Sequence, residues 1–114
     1  MTKTIIGGKE YVTIFCGEKE RKVLARIDTG ATKSSIDKSL ARNLCIGPIL
    51  HYKKIRSAAG MTKRGIVLVR VRIAGRTFKM YFTVADRKHM KYQVLIGRNI
   101  LKRGFLVDVS RKPR

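Results

Sequence analysis

Asp28-Thr29-Gly30-Ala31 carries the residue types from which acid-assisted hydrolysis can be built. It follows an alternating apolar run, Val23-Leu24-Ala25-Arg26-Ile27, and precedes a polar turn, Thr32-Lys33-Ser34-Ser35. That order predicts a strand that ends by presenting a carboxylate in a tight loop. Thr can hydrogen-bond backbone, Gly relieves the φ constraint, and a small Ala lets another backbone segment approach. The same tetrapeptide is also an ordinary turn, so alone it decides nothing. Its chemistry depends on pairing. Two carboxylates a hydrogen bond apart cannot both ionise, so one stays neutral and polarises a carbonyl while the other activates water. The chain holds a single Asp-Thr-Gly, so such a pair requires two copies related by a two-fold axis.

A second segment adds weight. Val94-Leu95-Ile96-Gly97-Arg98-Asn99 stands about seventy residues downstream, an apolar strand ending in Gly. Ile6-Gly7-Gly8-Lys9-Glu10-Tyr11-Val12 opens the chain, Asp86-Arg87-Lys88-His89-Met90-Lys91-Tyr92 precedes the second motif, and Leu101 to Arg111 follows it. With these stretches the chain resembles the retropepsin-like aspartic proteases. Within them it is similar to the prokaryotic family commonly named ATP-dependent zinc proteases, found alongside ATP-grasp glutamate ligases of the RimK type. The resemblance covers nearly the whole chain and is weakest between residues 45 and 75. It implies an aspartic endopeptidase, a hydrolase that works as a homodimer through Asp28 of each subunit. Thr29 then locks the two loops across the dimer axis, and Gly30 lets substrate backbone pass close. Ala31, Ala59, Gly60, Met61 and Ile96 are the implied substrate-binding residues, with a flap over residues 58–65. Gly97, Arg98 and Asn99 are implied as structural support, packing beneath the active-site loop. In retroviral proteases the equivalent Arg pairs with an Asp one residue after the Ala. Here that position is Thr32, which leaves Asp37 and Asp108 as candidate partners for Arg98.

The elements that must position these residues are short. Glu10–Cys16 and Lys22–Asp28 alternate as strands around the polar turn Gly17-Glu18-Lys19-Glu20, a hairpin that delivers Asp28 at its far end. Ser34–Asp37 reads as a short extended piece, and Lys38–Leu44 as one or two helical turns with Asp37 as N-cap. Tyr52–Ser57 reads as extended, and Ala58–Gly65 as a hairpin tip built to move. Ile66–Ile73 places Val67, Val69, Val71 and Ile73 on one face and Arg70 and Arg72 on the other. Ala74-Gly75-Arg76 turns it into Thr77–Ala85, whose Phe78, Met80, Phe82 and Val84 face inward. Asp86–Lys91 reads as a turn or short helix, Gln93–Ile96 as a strand, Asn99–Arg103 as a short helix stopped by Gly104, and Phe105–Val109 as a final strand. Many short strands with two helical scraps predict a mainly β fold, a small closed or partly open barrel of retropepsin-like type.

The 114 residues, 44% hydrophobic, predict one globular domain over 1–114. No apolar run approaches a membrane span, and the N-terminus lacks a signal-peptide core, so the expected location is cytoplasmic. Cys16 and Cys45 are expected as small buried apolar residues in a reducing compartment. Glu10, Glu18 and Glu20 are expected to be solvated, and Asp86 and Asp108 to be caps or ion-pair partners. Neither metal nor nucleotide is indicated. His51 and His89 lie far apart in sequence, no His-Glu-x-x-His occurs, and Gly7-Gly8-Lys9 is no phosphate-cradling loop. His89, within a basic stretch, reads as a surface residue.

The formal charge of +20 is spread along the chain: residues 1–57 carry 12 basic and 5 acidic side chains, and residues 58–114 carry 15 and 2. Such a field favours polyanionic partners. Two functions fit. One is a homodimeric aspartic protease acting on acidic polypeptides, glutamate-rich ones as the resemblance to a family associated with glutamate ligases implies. The other is a non-catalytic barrel of the same fold whose basic surface holds RNA, the ribosome or acidic protein tails. No linear nucleic-acid motif supports the second, since aromatic residues are 7% and there is no Trp.

Overall fold

A computed structural model describes residues 2–57 and 60–113. Two long hairpins supply most of the sheet. β2 (Lys9–Cys16) and β3 (Lys19–Ile27) form the first, turning at Gly17 with φ +59°. β6 (Gly60–Ile73) and β7 (Arg76–Ala85) form the second through Ala74-Gly75, with φ of +50° and +78°. Positive φ at both central residues is the turn whose twist matches that of the flanking strands. β2 also pairs with β6, from Val12 opposite Ile73 to Phe15 opposite Arg70, so the hairpins share one sheet.

Two short strands close the ring. β4 (Ser34–Asp37) runs parallel to β7 and antiparallel to β8 (Val94–Ile96), while β8 runs parallel to β3. The order β2-β3-β8-β4-β7-β6 therefore returns to β2, a closed barrel of six strands. Closure gives each of these strands a neighbour on both sides over part of its length, though β3 meets β8 only at Arg26 and Ile27. β5 (His51–Ser57) stands outside the ring and pairs with the first half of β6, from His51 opposite Ile66 to Ser57 opposite Gly60. This projecting hairpin occupies the expected flap. Its loop is shorter than expected, because residues 60–65 are strand, held by that ladder. Ala58 and Ala59 lie outside the described residues.

β1 (Thr4–Ile6) and β9 (Phe105–Val107) form a separate parallel pair. The sequence reading assigned no element to Thr4–Ile6. Asp37 caps α1 (Lys38–Asn43) as expected, its Oδ2 accepting from the N–H groups of Ser39 at 3.1 Å and Leu40 at 3.4 Å. α2 (Arg98–Leu101) precedes Gly104, whose φ is +95°. Asp86–Lys91 is a turn and not a helix.

The period-2 patterns place the core. Val12 and Ile14 of β2, Val67, Val69, Val71 and Ile73 of β6, and Phe82 of β7 are buried with Ile36, Val94 and Ile96, while Arg70 and Arg72 point out. Two expectations fail. Glu10 is 2% exposed and its Oε2 accepts the Gly7 N–H at 2.7 Å, because the opening of β2 folds its side chain back over the Gly7-Gly8 bend. Cys16 is half-buried and Cys45 exposed, as they sit at the β2–β3 hairpin tip and just past the end of α1. Both thiols are free. Cys16 Sγ donates to the Cys45 carbonyl at 3.2 Å. His89 is exposed as expected, whereas Arg87, of which the sequence said nothing, is buried.

Candidate active site

Asp28 follows the last residue of β3, at the point where that strand leaves the sheet. The Asp28 N–H donates to the Ile96 carbonyl at 2.9 Å, continuing the β3–β8 ladder one residue past the strand. The chain then turns. Ala31 N–H donates to the Asp28 carbonyl at 3.2 Å, and Gly30 N–H donates to Asp28 Oδ1 at 2.9 Å. A short carboxylate can accept from the backbone two residues ahead, which is why Asp suits this turn. Asp28 and Ala31 are half-buried, and Thr29 and Gly30 are exposed. The loop thus presents its carboxylate near the surface with one oxygen already oriented.

The second motif grips this loop from below. A Cβ on Gly97 would lie 2.4 Å from the Lys33 carbonyl oxygen and 2.9 Å from that of Ala31, so only glycine permits the approach. Gly97 offers α2 no side-chain cap. Loop carbonyls do that work: Arg98 N–H donates to Ala31 O at 2.8 Å and Asn99 N–H to Thr32 O at 3.2 Å. The orphan donors of a helix start are satisfied by the loop that the helix supports.

Arg98 finds partners other than those expected. Its Nη1 donates to the Thr29 carbonyl at 3.1 Å and its Nη2 to Thr32 Oγ1 at 2.9 Å. Asp37 is engaged elsewhere, capping α1 and accepting the Arg87 N–H at 2.8 Å. Asp108 accepts the Ser110 hydroxyl at 2.6 Å and its N–H at 3.0 Å. Those Ser110 donors hold the Asp108 carboxyl below the usual carboxylate range, and the Lys88 N–H does the same for Asp86. Both acids are local turn caps. Thr32 therefore replaces a charged partner with a neutral hydroxyl, and the guanidinium still ties both ends of the loop together.

Ser34 was not singled out by sequence reasoning. It is fully buried; its Oγ donates to Asn99 Oδ1 at 2.7 Å and accepts the Gly97 N–H at 3.0 Å. Asn99 Nδ2 goes on to the Tyr81 carbonyl at 2.9 Å. This network joins β4, β7 and α2 beneath the loop. A lone Ser in a polar run gives no signal of such a role. Arg87 was also missed: its Nε donates to the Tyr92 carbonyl at 2.8 Å. Burial pushes its guanidinium below the usual range, nearby Arg64 and Arg26 add to this, and Asp37 and Asp28 oppose it.

The remaining expected residues are spread. Ile96 is fully buried, so it supports the loop through its carbonyl and offers no side-chain surface to a ligand in the single chain. Gly60, with φ +112°, and Met61, 56% exposed, open the β6 arm of the projecting hairpin. Ala59 lies outside the described residues. A cavity of about 250 Å³ is lined by Lys33, two residues past Ala31, by His51 and Lys53 of β5, and by Ile66, Tyr81, Phe82 and Thr83; none of Asp28 to Ala31 lines it. Among the described residues no group of three His, Cys, Asp or Glu side chains could hold a metal ion, so the donor set does not fit a zinc site. Among them, too, no helix is long and apolar enough to cross a membrane.

A family model described as the retropepsin-like aspartic endopeptidase RimB matches residues 37–113. The match starts downstream of Asp28-Thr29-Gly30. No curated protein matches the sequence. Among solved structures, the chain is similar to a Legionella pneumophila protein of unknown function, at 19% identity with 95% of each chain covered and a TM-score of 0.70. It is similar to the EIAV protease in complex with the inhibitor HBY-793, at 22% identity over 86% of this chain and 88% of that one, TM-score 0.68. A retropepsin-like aspartic protease from Rickettsia conorii is 24% identical over 82% of this chain and 69% of that one, TM-score 0.56. These likenesses show a shared fold.

Proposed function

Because the chain belongs to the RimB-like family of retropepsin-like aspartic endopeptidases, we propose that it hydrolyses peptide bonds as a homodimer, each protomer supplying Asp28. The observation that carries this reading is the clamp on the Asp28 loop: the Asp28 N–H on Ile96, Arg98 on Thr29 and Thr32, and Gly97 pressed against the backbone of Lys33. So many contacts spent on holding one part-exposed carboxylate suit a group that must meet its symmetry mate at hydrogen-bond range. Leu106 and Val109, 52% and 83% exposed near the β1–β9 pair, supply apolar surface for a second copy.

In that dimer the ionised Asp28 takes a proton from water as the water oxygen attacks the amide carbonyl. The neutral Asp28 gives its proton to the carbonyl oxygen. As the tetrahedral intermediate collapses, the first Asp28 gives the proton it took from water to the leaving nitrogen, the second takes a proton back from a gem-diol hydroxyl, and the C–N bond breaks, which restores the one-proton pair. Thr29 fixes the two loops against each other, Gly30, Ala31 and Ile96 border the substrate backbone, and Ala59, Gly60 and Met61 cover it.

The substrate class follows from charge. Lys33, His51 and Lys53 line one cavity and the net charge is +20, which suits acidic polypeptides; that these are glutamate-rich is suggested by the resemblance to a family found alongside glutamate ligases. The test compares glutamate-rich peptides with glutamine-matched ones, using wild type and Asp28→Asn, with sedimentation on both proteins. Wild type should cleave the acidic peptides, and Asp28→Asn should form the same dimer without cleaving. Cleavage that survives Asp28→Asn, or an active monomer, would overturn the proposal.

A further inference from the structure

The catalytic reading leaves most of the charge unused. β3, β2, β6 and β7 lie side by side, and their second face looks to solvent. Register aligns Phe15, Arg70 and Lys79 in one row across this face, and Lys22, Thr13 and Arg72 in the next. The alternate residues Val12, Ile14, Val69 and Val71 fill the core, so the outward direction of these rows is fixed by the pleat. Glu20, opposite Phe15, is the acidic residue in the two rows.

Cations and rings are interleaved there. The guanidinium carbons of Arg70 and Arg72 each lie 5.1 Å from the Phe15 ring centre, and Lys22 Nζ lies 5.1 Å from that of Tyr11. Tyr11 is 43% exposed. Contact with a ring restrains a guanidinium and leaves it a face on which a base can stack and edge N–H groups that can reach a phosphate.

We propose that this outer face of β2, β3, β6 and β7 binds single-stranded nucleic acid, with phosphates on Lys22, Arg70, Arg72 and Lys79 and bases stacked on Tyr11 and the two guanidinium planes. Acidic polypeptide fits less well, because carboxylates would use the cations and leave the rings idle. Duplex fits less well too, because its bases are already stacked and the smooth sheet presents no element to enter a groove. None of these residues belongs to the Asp28 loop, and binding here does not depend on catalysis.

The test is fluorescence anisotropy with a labelled dodecauridylate. Wild type should bind in the micromolar range at about 50 mM salt and weaken steeply as salt rises. Arg70→Gln with Arg72→Gln should weaken binding about tenfold or more and flatten the slope of log K against log salt by about 1.4, the loss of two phosphate contacts. Tyr11→Leu should weaken binding about fivefold or more and leave the slope unchanged. Lys88→Gln with Lys112→Gln, an equal charge change elsewhere, should have a much smaller effect. Photocrosslinks from a thiouridine oligonucleotide should map to residues 11–22 or 70–79. The proposal is overturned if the oligonucleotide does not bind, if the Lys88 and Lys112 pair costs as much as the Arg pair, or if crosslinks map elsewhere. Equal affinity for a duplex, or displacement by an oligoglutamate of matched charge, also overturns it.

Discussion

Gly97 shows how a single residue governs the loop. The atoms that a Gly97 Cβ would meet, at 2.4, 2.6 and 2.9 Å, belong to the backbone of Lys33 and Ala31 and cannot swing aside. Gly97→Ala must therefore push the loop away from α2. We expect a loss of about 1–3 kcal/mol, the usual range for overpacking, read by urea unfolding. Gly8→Ala is the control. Its nearest neighbour, on Val109, is 3.9 Å away, and it should be close to neutral. Equal stability of the two variants would mean that the loop and α2 are packed less tightly than described. If Asp28 acts as proposed, Gly97→Ala should also lower cleavage under conditions where the protein remains folded, because Ala31 moves with Lys33.

The hairpins hold their registers through turns, and one turn is not optimised. Ala74 sits at φ +50° beside Gly75 at +78°. An L-residue with a Cβ pays about 1–2 kcal/mol for left-handed backbone, whereas Asn tolerates it and Asn-Gly is the favoured pair for this turn. Ala74→Asn should therefore raise stability by about 0.5–1 kcal/mol, seen as a higher thermal midpoint. A neutral or lower midpoint would show that the Ala74 methyl, packed against the core, is worth as much as the strain. The other elements follow local rules. Asp37 caps α1 because its side chain reaches two free N–H groups, and β6 is set by strict alternation. The projecting hairpin runs further than expected because pairing with β5 overrides the glycine and lysine content of residues 60–65.

Over the whole molecule, a net charge of +20 on 114 residues must repel itself. Added salt screens that repulsion, with a Debye length of about 10 Å at 0.1 M. The thermal midpoint should thus rise between about 20 and 300 mM sodium chloride. A flat or falling midpoint would mean that the positive charges are too far apart to matter. The same screening separates two proposals by sign: the homodimer joins two cationic chains and should tighten with salt, whereas nucleic-acid binding should weaken.

Local order along the chain was enough to assign most of the strands, though not β1 or the first half of β6, and the cap at Asp37, the Asp28 loop and the glycine that follows Ile96. Each depends on the alternation of neighbours or on a turn of a few residues. What folding added are contacts between distant residues. Ser34 meets Asn99 across 65 positions, and Arg98 reaches Thr32 across 66. Arg87 is buried without any sign of it in the local sequence, and Glu10 turns inward onto Gly7. No linear motif holds Phe15, Arg70 and Arg72 together; closure of β2 onto β6 does. Periodicity tells which side of a strand is wet, but which strands become neighbours is set by how the barrel closes.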